Sequence, residues 1–600
     1  MRTFANEDRL PRVPLPTLEE SCERFLAWCA PLLNPNDQAA TERAVRSFLQ
    51  PDSPARRLQA ALERYDTTEG VHSWLDTFWS YRYLGRRDRI ALNANFFFLF
   101  KDSEQGQVER AAGLIAGAVD YKLQLDEERV PPVVQRGQVQ SMEQNKYLFS
   151  STRIPGPVQD TNRVPYSEAW PGPSQERHIL VFFRGNLFRM EVIGSHGRPH
   201  SLEDLVGGLR AVMEAGAKPA ESTTSVGQLT TKARSEWAVS RQGLLDAALA
   251  NSARLDTVER ALFCICLEDC APHDVLQASD HLLHGDAANR WYDKALSLII
   301  FRDGSAGLNG EHCCLDGTTI LTFIDALLNH SDEEHARRSG AQSQGVPTIE
   351  TIQFELNAEL RADVRSAGDA FASFAASSAT SVVAFEDFGA NQIKQLGMSP
   401  DAFAQMAYQL AHHRCRGVVG ATYESIATRH FRNGRTEAMR VVTPEVIDFV
   451  TAMDDPKAGA AKCRTAFRAA AAKHVERAKE CKAGQAPEQH LWELQLLQGR
   501  CGETLEATGT LDLYQSPGWI IMRDDYLSTS SVPSANVQSF GFGSTGERCI
   551  GVGYVLLPNR WNLYLSARRS YRDQMLVFAD DVRVAVRELR DLLSSAGGAT

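Results

Sequence analysis

The chain has 600 residues, 43% apolar and 23% charged, with 42 Gly and 25 Pro; these near-average values exclude a disordered, collagenous or coiled-coil chain. Its length is about four times the ~150 residues of one typical domain, so more than one domain is expected. A net charge of −11, dispersed without blocks of one sign, gives no electrostatic reason to expect nucleic acid or an anionic membrane as partner.

In chain order, the Pro-marked lead LPRVPLPTLEESCERFL runs into a helix, with Thr17 as N-cap and Glu20 completing a capping box. Helical periodicity follows over Ala39–Tyr65 and Gly106–Leu125, and Lys146–Ser174 reads as a Pro-, Gly- and Ser-rich surface connection. From Arg177 the texture changes to short strand-like runs, HILVFFRG, LFRMEVIG and ALSLIIFRDG. Helices at Ser201–Ala215, Arg241–Ala250 and Thr318–Leu328 separate or follow them, which indicates an α/β chain. The second half repeats the theme. Helices are expected at Asp401–Arg414, Lys457–Ala483 and Ser570–Leu593, with strand segments at Gly541–Leu557 and Trp561–Ser566. The Gln342–Thr351 region is the expected boundary, giving halves 1–345 and 346–600. The longest apolar runs, Phe96–Phe100 and Ala295–Phe301, are far shorter than the roughly 20 residues that cross a bilayer, so no membrane span is expected.

The twelve cysteines lack the paired CxxC spacing of a zinc site, including the cluster Cys264, Cys266, Cys270 and the adjacent Cys313 and Cys314. They are expected to be ordinary reduced thiols, and no metal ligand set is assigned. The most chemically loaded segment is DGSAGLNGEHCCLDG, where a strand and a Gly-rich turn deliver His312, with Asp316 one helical turn beyond. A histidine, with an ordinary pKa of about 6.5, removes a proton from an alcohol or thiol near neutral pH.

That segment, as NRWYDKALSLIIFRDGSAGLNGEHCCLDG, resembles the catalytic segment of the choline/carnitine O-acyltransferase family. The N-terminal lead, SSTRIPGPVQDT, VGQLTTKARSEWA, SPDAFAQMAYQLAHHR, ATYES, GRTEAMR, LSTS and FGSTGERCIGVGYVL resemble further family motifs in the right order. The resemblance implies two chloramphenicol-acetyltransferase-like α/β domains of related topology with an active-site tunnel at their interface. It implies His312 as general base, Asp316 beside it, and Ser530 as oxyanion donor, without a covalent intermediate. It further implies Ser528, Tyr423 and Thr436 at the acceptor, Asn93 along the acceptor tunnel, and Phe542 at the acyl pocket. Lys394 and Asp401 match residues that contact coenzyme A, so the implied donor is an acyl thioester and no tightly bound cofactor is expected.

Two positions depart from the family pattern. Gln489, in APEQHLWEL, stands where carnitine enzymes carry the arginine that faces carnitine's carboxylate. Losing a charge-assisted bond of roughly 1.5–3 kcal/mol disfavours carnitine and favours a neutral, hydroxyl-rich acceptor such as a polyol. Ala390 replaces the first of two phosphate-binding lysines, as expected if phosphopantetheine on an acyl carrier protein, rather than coenzyme A, brings the acyl group; the alternative is that another cation, Lys101 or Arg435, supplies that charge. Together these departures resemble the polyketide-offloading domains of fungal highly reducing polyketide synthases. The alternatives are a conventional carnitine, or less readily choline, acyltransferase using acyl-CoA, and a silent scaffold domain. Similarity starting near Met1 and the ending Ala599-Thr600 lead to the expectation of a cytoplasmic protein, free-standing or excised from a larger chain.

Overall fold

The strand-like runs and amphipathic segments assemble into two large mixed sheets flanked by helices, in a computed structural model that describes residues 2–595. The last pair considered above, Ala599-Thr600, lies outside the described residues. The sheets use strands β1 (Phe96–Phe100), β2 (His178–Phe183), β3 (Asn186–Glu191), β4 (Cys264–Leu267), β5 (Leu296–Ile300), β6 (Ala306–Gly310) and β7 (Ile349–Thr351). They continue with β8 (Ser378–Phe385), β9 (Thr422–Ala427), β10 (Thr436–Arg440), β11 (Leu527–Ser531), β12 (Val537–Phe542), β13 (Ile550–Leu556) and β14 (Trp561–Arg568). The eight-stranded sheet has the order β7-β3-β2-β4-β5-β6-β1-β12, and the six-stranded sheet β8-β14-β13-β11-β9-β10.

The chain forms two compact units, each discontinuous in sequence. Unit 1 takes Met1–Asp8, Ser80–Ser378 and Ser534–Gly543; unit 2 takes Arg9–Trp79, Ala379–Pro533 and Ser544–Thr600. The chain therefore passes out of unit 1 at Ser378 and not near residue 345, because β7 still pairs with β3 in the first sheet.

Inside each unit the same five-strand pattern recurs. In unit 1 the hairpin β2–β3 joins the single strand β4 through a parallel pair, and β4 joins the hairpin β5–β6 through another. In unit 2 the hairpin β9–β10, the single strand β11 and the hairpin β13–β14 repeat that order and those directions. Related topology, which the resemblance implies, is thus present in the strand pairing itself. The central strands β2, β4, β5 and β6 are buried throughout, as both-face-covered strands must be.

Local signals that resolve within a few residues hold. Thr17 and Glu20 form the reciprocal capping box of helix Leu18–Cys29. Two longer readings need correction. The periodic stretch Ala39–Tyr65 is two helices, Pro35–Phe48 and Pro54–Asp66, and the break falls where Pro51 and the N-cap Ser53 interrupt the chain. Gly541–Leu557 is divided as well: β12 pairs with β1 in the first sheet, whereas β13 enters the second after the turn around Ser544–Cys549. Among the described residues no helix is long and apolar enough to cross a membrane.

Candidate active site

In unit 1 the hairpin β5–β6 turns at Gly304, whose φ of +84° and 1.9 Å clearance to the Gln105 carbonyl for any added Cβ require glycine. Strand β6 then ends at Gly310 and the chain turns at Glu311-His312. The His312 ring stacks on Tyr83, with centroids 4.9 Å apart, and meets the edge of Phe96 at 5.1 Å. Its Nδ1 lies 3.6 Å from Asp316 Oδ1, and its side chain is 28% exposed, so the imidazole has a carboxylate beside it and a route to solvent. Asp316 is buried; its Oδ2 accepts from Gln144 Nε2 at 2.7 Å, and its backbone N–H donates to Gln144 Oε1 at 2.8 Å.

The turn is braced from below by charge. Glu311 Oε2 accepts from the Cys313 backbone N–H at 3.0 Å, closing a loop around His312. Arg153 donates to Glu311 Oε1 at 3.2 Å, to Asp160 Oδ2 at 2.6 Å and to the Tyr83 carbonyl at 2.7 Å. Arg234 shares Asp160 and lies 2.8 Å from Asp293, whose carboxyl burial pushes up to about 6. Arg153 sits in the motif SSTRIPGPVQDT, so its segment was legible by resemblance although its bracing role was not. Tyr83 and Gln144 carried no local signal.

The other unit 1 residues divide. Phe542 lies opposite Phe96 in the β1–β12 register, one strand from the ring that touches His312. Asn93 spends its amide on Asp88, 3.2 Å away, in a cluster that Arg86 joins.

In unit 2 the acceptor candidates lie on three neighbouring strands and the start of one helix. Tyr423 on β9 is in register with Ser528 on the parallel strand β11, and Ala427 with Thr436 on β10. Ser530 lies two residues along β11, opposite Gly553, and is half-buried. Gln489, in the first turn of helix Glu488–Cys501, is 1% exposed and donates from Nε2 to the Thr436 carbonyl at 2.8 Å. Its Oε1 is buried and has no hydrogen-bond partner among the described residues. Arg440 approaches the Tyr423 ring at 5.7 Å, but its guanidinium is held by both oxygens of Glu488 and by Asp525.

Helix Pro400–Arg416 carries the donor-side candidate Asp401 in its first turn, where it accepts from Tyr554 Oη at 2.6 Å. Gln405, one turn on, donates to Tyr554 Oη at 3.3 Å and to Thr529 Oγ1 at 2.9 Å; Thr529 in turn donates to the Tyr423 carbonyl at 2.8 Å. A continuous run of hydrogen bonds therefore links Asp401 to the strand that carries Ser528 and Ser530. Beside it, Glu424 is fully buried against His474, 2.7 Å away. Burial, and next the negative charge of Asp401, push the Glu424 carboxyl up to about 8. Lys394 is exposed on the short helix Ala390–Gln395. The sequence reading did not single out Glu424 or His474.

The profile of the Choline/Carnitine o-acyltransferase family matches residues 13–583. The chain is 29% identical to the carnitine O-acetyltransferase of Columba livia, over 98% of this chain and 94% of that protein. It is also 29% identical to the human mitochondrial carnitine O-palmitoyltransferase 2, over 93% and 88%. Among solved structures, a trichothecene 15-O-acetyltransferase from Fusarium sporotrichioides aligns at 10% identity and a TM-score of 0.39, covering 83% of this chain and 92% of that one. A profile match over nearly the whole length, with relatives that align end to end, means that this chain belongs to the choline/carnitine O-acyltransferase family.

Proposed function

We propose that this chain transfers an acyl group from a phosphopantetheine thioester to a neutral, hydroxyl-rich acceptor, as in release of a polyketide by transesterification. His312 removes the proton of the acceptor hydroxyl as its oxygen attacks the thioester carbonyl. Ser530 donates to the oxyanion so formed, an interaction worth roughly 2.7–4 kcal/mol in comparable acyl transfers. Collapse breaks the C–S bond, and the imidazolium returns its proton to the leaving thiolate. No covalent intermediate on the protein is required.

The observation that carries the acceptor assignment is Gln489. Thr436 fixes the orientation of its amide, so the atom left without a partner is the carbonyl oxygen, an acceptor. A buried acceptor is satisfied by an incoming O–H and repelled by a carboxylate, so this atom selects hydroxyls against carnitine. Arg440, the cation beside Tyr423, is neutralised by Glu488 and Asp525 and does not substitute for the missing arginine. The test uses one acyl donor and a panel of polyols, sugar alcohols, carnitine and choline, with products detected by mass. Polyols should exceed carnitine with the wild type, and Gln489→Arg should shift preference towards carnitine. Efficient carnitine transfer by the unaltered protein, with polyols inert, overturns the assignment.

The donor side is read from the same family pattern. With Ala390 in place of a lysine, Lys394 is the one retained member of that phosphate-binding pair. Acyl-pantetheine and acyl carrier protein should therefore compete well with acyl-CoA at equal chain length, since neither carries the 3′-phosphate. A large preference for the full coenzyme A thioester would sink the carrier-protein reading and leave acyl-CoA as donor.

A further inference from the structure

Cys313 and Cys314 follow His312 directly, and the transfer reaction gives them no task. Their sulfurs lie 3.8 Å apart, and Asn162 holds both: its Oδ1 accepts from Cys313 Sγ at 3.1 Å, and its Nδ2 donates to Cys314 Sγ at 3.0 Å. Cys313 is buried and Cys314 half-buried. The pair borders a cavity of about 10 Å³ whose wall includes Arg153, Glu311 and Asn162, close to the least volume that holds one water-sized molecule.

We propose that Cys313 and Cys314 form an oxidative modification site, which hydrogen peroxide closes to a vicinal disulfide that displaces His312 from its stack on Tyr83. The first step belongs to Cys314, the more exposed sulfur, which accepts the Asn162 N–H. Its thiolate attacks the peroxide: an S–O bond forms, the O–O bond breaks, and the departing oxygen takes a proton and leaves as water. The sulfenic acid so formed faces the Cys313 thiol, which burial keeps protonated. Attack by Cys313 forms the S–S bond, breaks S–OH and transfers the thiol proton to the leaving hydroxide. Two thiols and one peroxide become one disulfide and two waters.

The consequence for His312 follows from the closure. The sulfurs must contract from 3.8 Å to about 2.05 Å, and Cys313 loses the S–H that bonds Asn162. The Cys313 backbone N–H is also the group that Glu311 uses to close the loop around His312, so movement of this peptide moves the histidine. The regulatory effect rests on the catalytic role proposed for His312; the chemistry of the two thiols does not.

The test treats the intact reduced protein with hydrogen peroxide and maps its peptides by mass. The Cys313–Cys314 peptide should lose two hydrogens without gaining oxygen, and dithiothreitol should restore it. Labelling of His312 by diethyl pyrocarbonate should change in the same samples, and acyl transfer should fall about tenfold or more if the base is displaced. Cys314→Ser should leave this peptide unoxidised, whereas Cys313→Ser should gain oxygen at Cys314 without losing two hydrogens to a disulfide. Oxidation that stops at a Cys314 sulfinic acid, or a disulfide that leaves His312 labelling unchanged, overturns the proposal. So does a disulfide that spares turnover in a protein that His312→Ala inactivates. Turnover indifferent to both oxidation and His312→Ala would instead remove the functional reading and leave the thiol site to the mass and labelling results.

Discussion

Arg153 and Glu311 meet at 3.2 Å with both side chains withdrawn from water, and together they hold both sides of the His312 turn. Glu311 secures the chain just past the histidine through the Cys313 amide, while Arg153 secures the Tyr83 carbonyl behind the stacked ring. Removing one partner of a buried pair leaves an uncompensated charge, which costs about 3–5 kcal/mol. Arg153→Met should therefore lower the denaturant midpoint by that equivalent and disturb acyl transfer through the misplaced turn. A variant within about 1 kcal/mol of wild type would show that the ion pair does not brace the site.

His312→Ala should remove nearly all acyl transfer, because general-base catalysis contributes roughly 10²–10⁴-fold. Ser530→Ala should lower kcat with little change in KM if it is the oxyanion donor proposed, since such a hydrogen bond strengthens as the oxyanion forms. Steady-state rates with one donor and one acceptor decide both. Retention of more than about a tenth of the rate by His312→Ala removes it as the base.

The Glu424–His474 pair makes a pH prediction. Burial raises Glu424 to about 8, while His474, which burial alone would lower, is raised by the Glu424 carboxylate beside it. Both groups hold protons more tightly folded than unfolded, so the stability they contribute is full at low pH and is lost as pH rises through the folded values. Between about pH 5 and pH 9, wild type should lose on the order of 4 kcal/mol more stability than Glu424→Gln, about 1.4 kcal/mol per pH unit up to the folded value. Parallel urea titrations measure the difference, and identical slopes for the two proteins would refute it.

What the sequence made legible was local chemistry. The Thr17–Glu20 box, the strand-turn-histidine delivery of His312 and the strands flanking it are specified by neighbours within a few positions. The bracing of His312 was not, because Tyr83, Gln144 and Arg153 reach it only after the chain has folded. Arg153 is 158 residues from Glu311, and no periodicity encodes that distance. The same limit hid Glu424 and His474, whose pairing joins residues 50 apart. It also hid the division of Gly541–Leu557, where consecutive apolar runs look alike but go to different sheets. At Gln489 the substitution was legible from the sequence, but the orientation of its amide came only from the Thr436 carbonyl.

Strand β12 has a consequence for biosynthesis. Its partner β1, the run Phe96–Phe100, is made more than 400 residues earlier, and Phe98 stacks directly on Phe540. While the ribosome is still adding unit 2, this all-apolar strand has no neighbour on one side and presents a row of unpaired N–H and C=O groups. Such an edge invites pairing with the same strand of another nascent chain, the more so because it is fully apolar. Ribosome-bound chains halted short of residue 537 should therefore occupy chaperones or aggregate, and release should come as the 537–542 segment clears the exit tunnel.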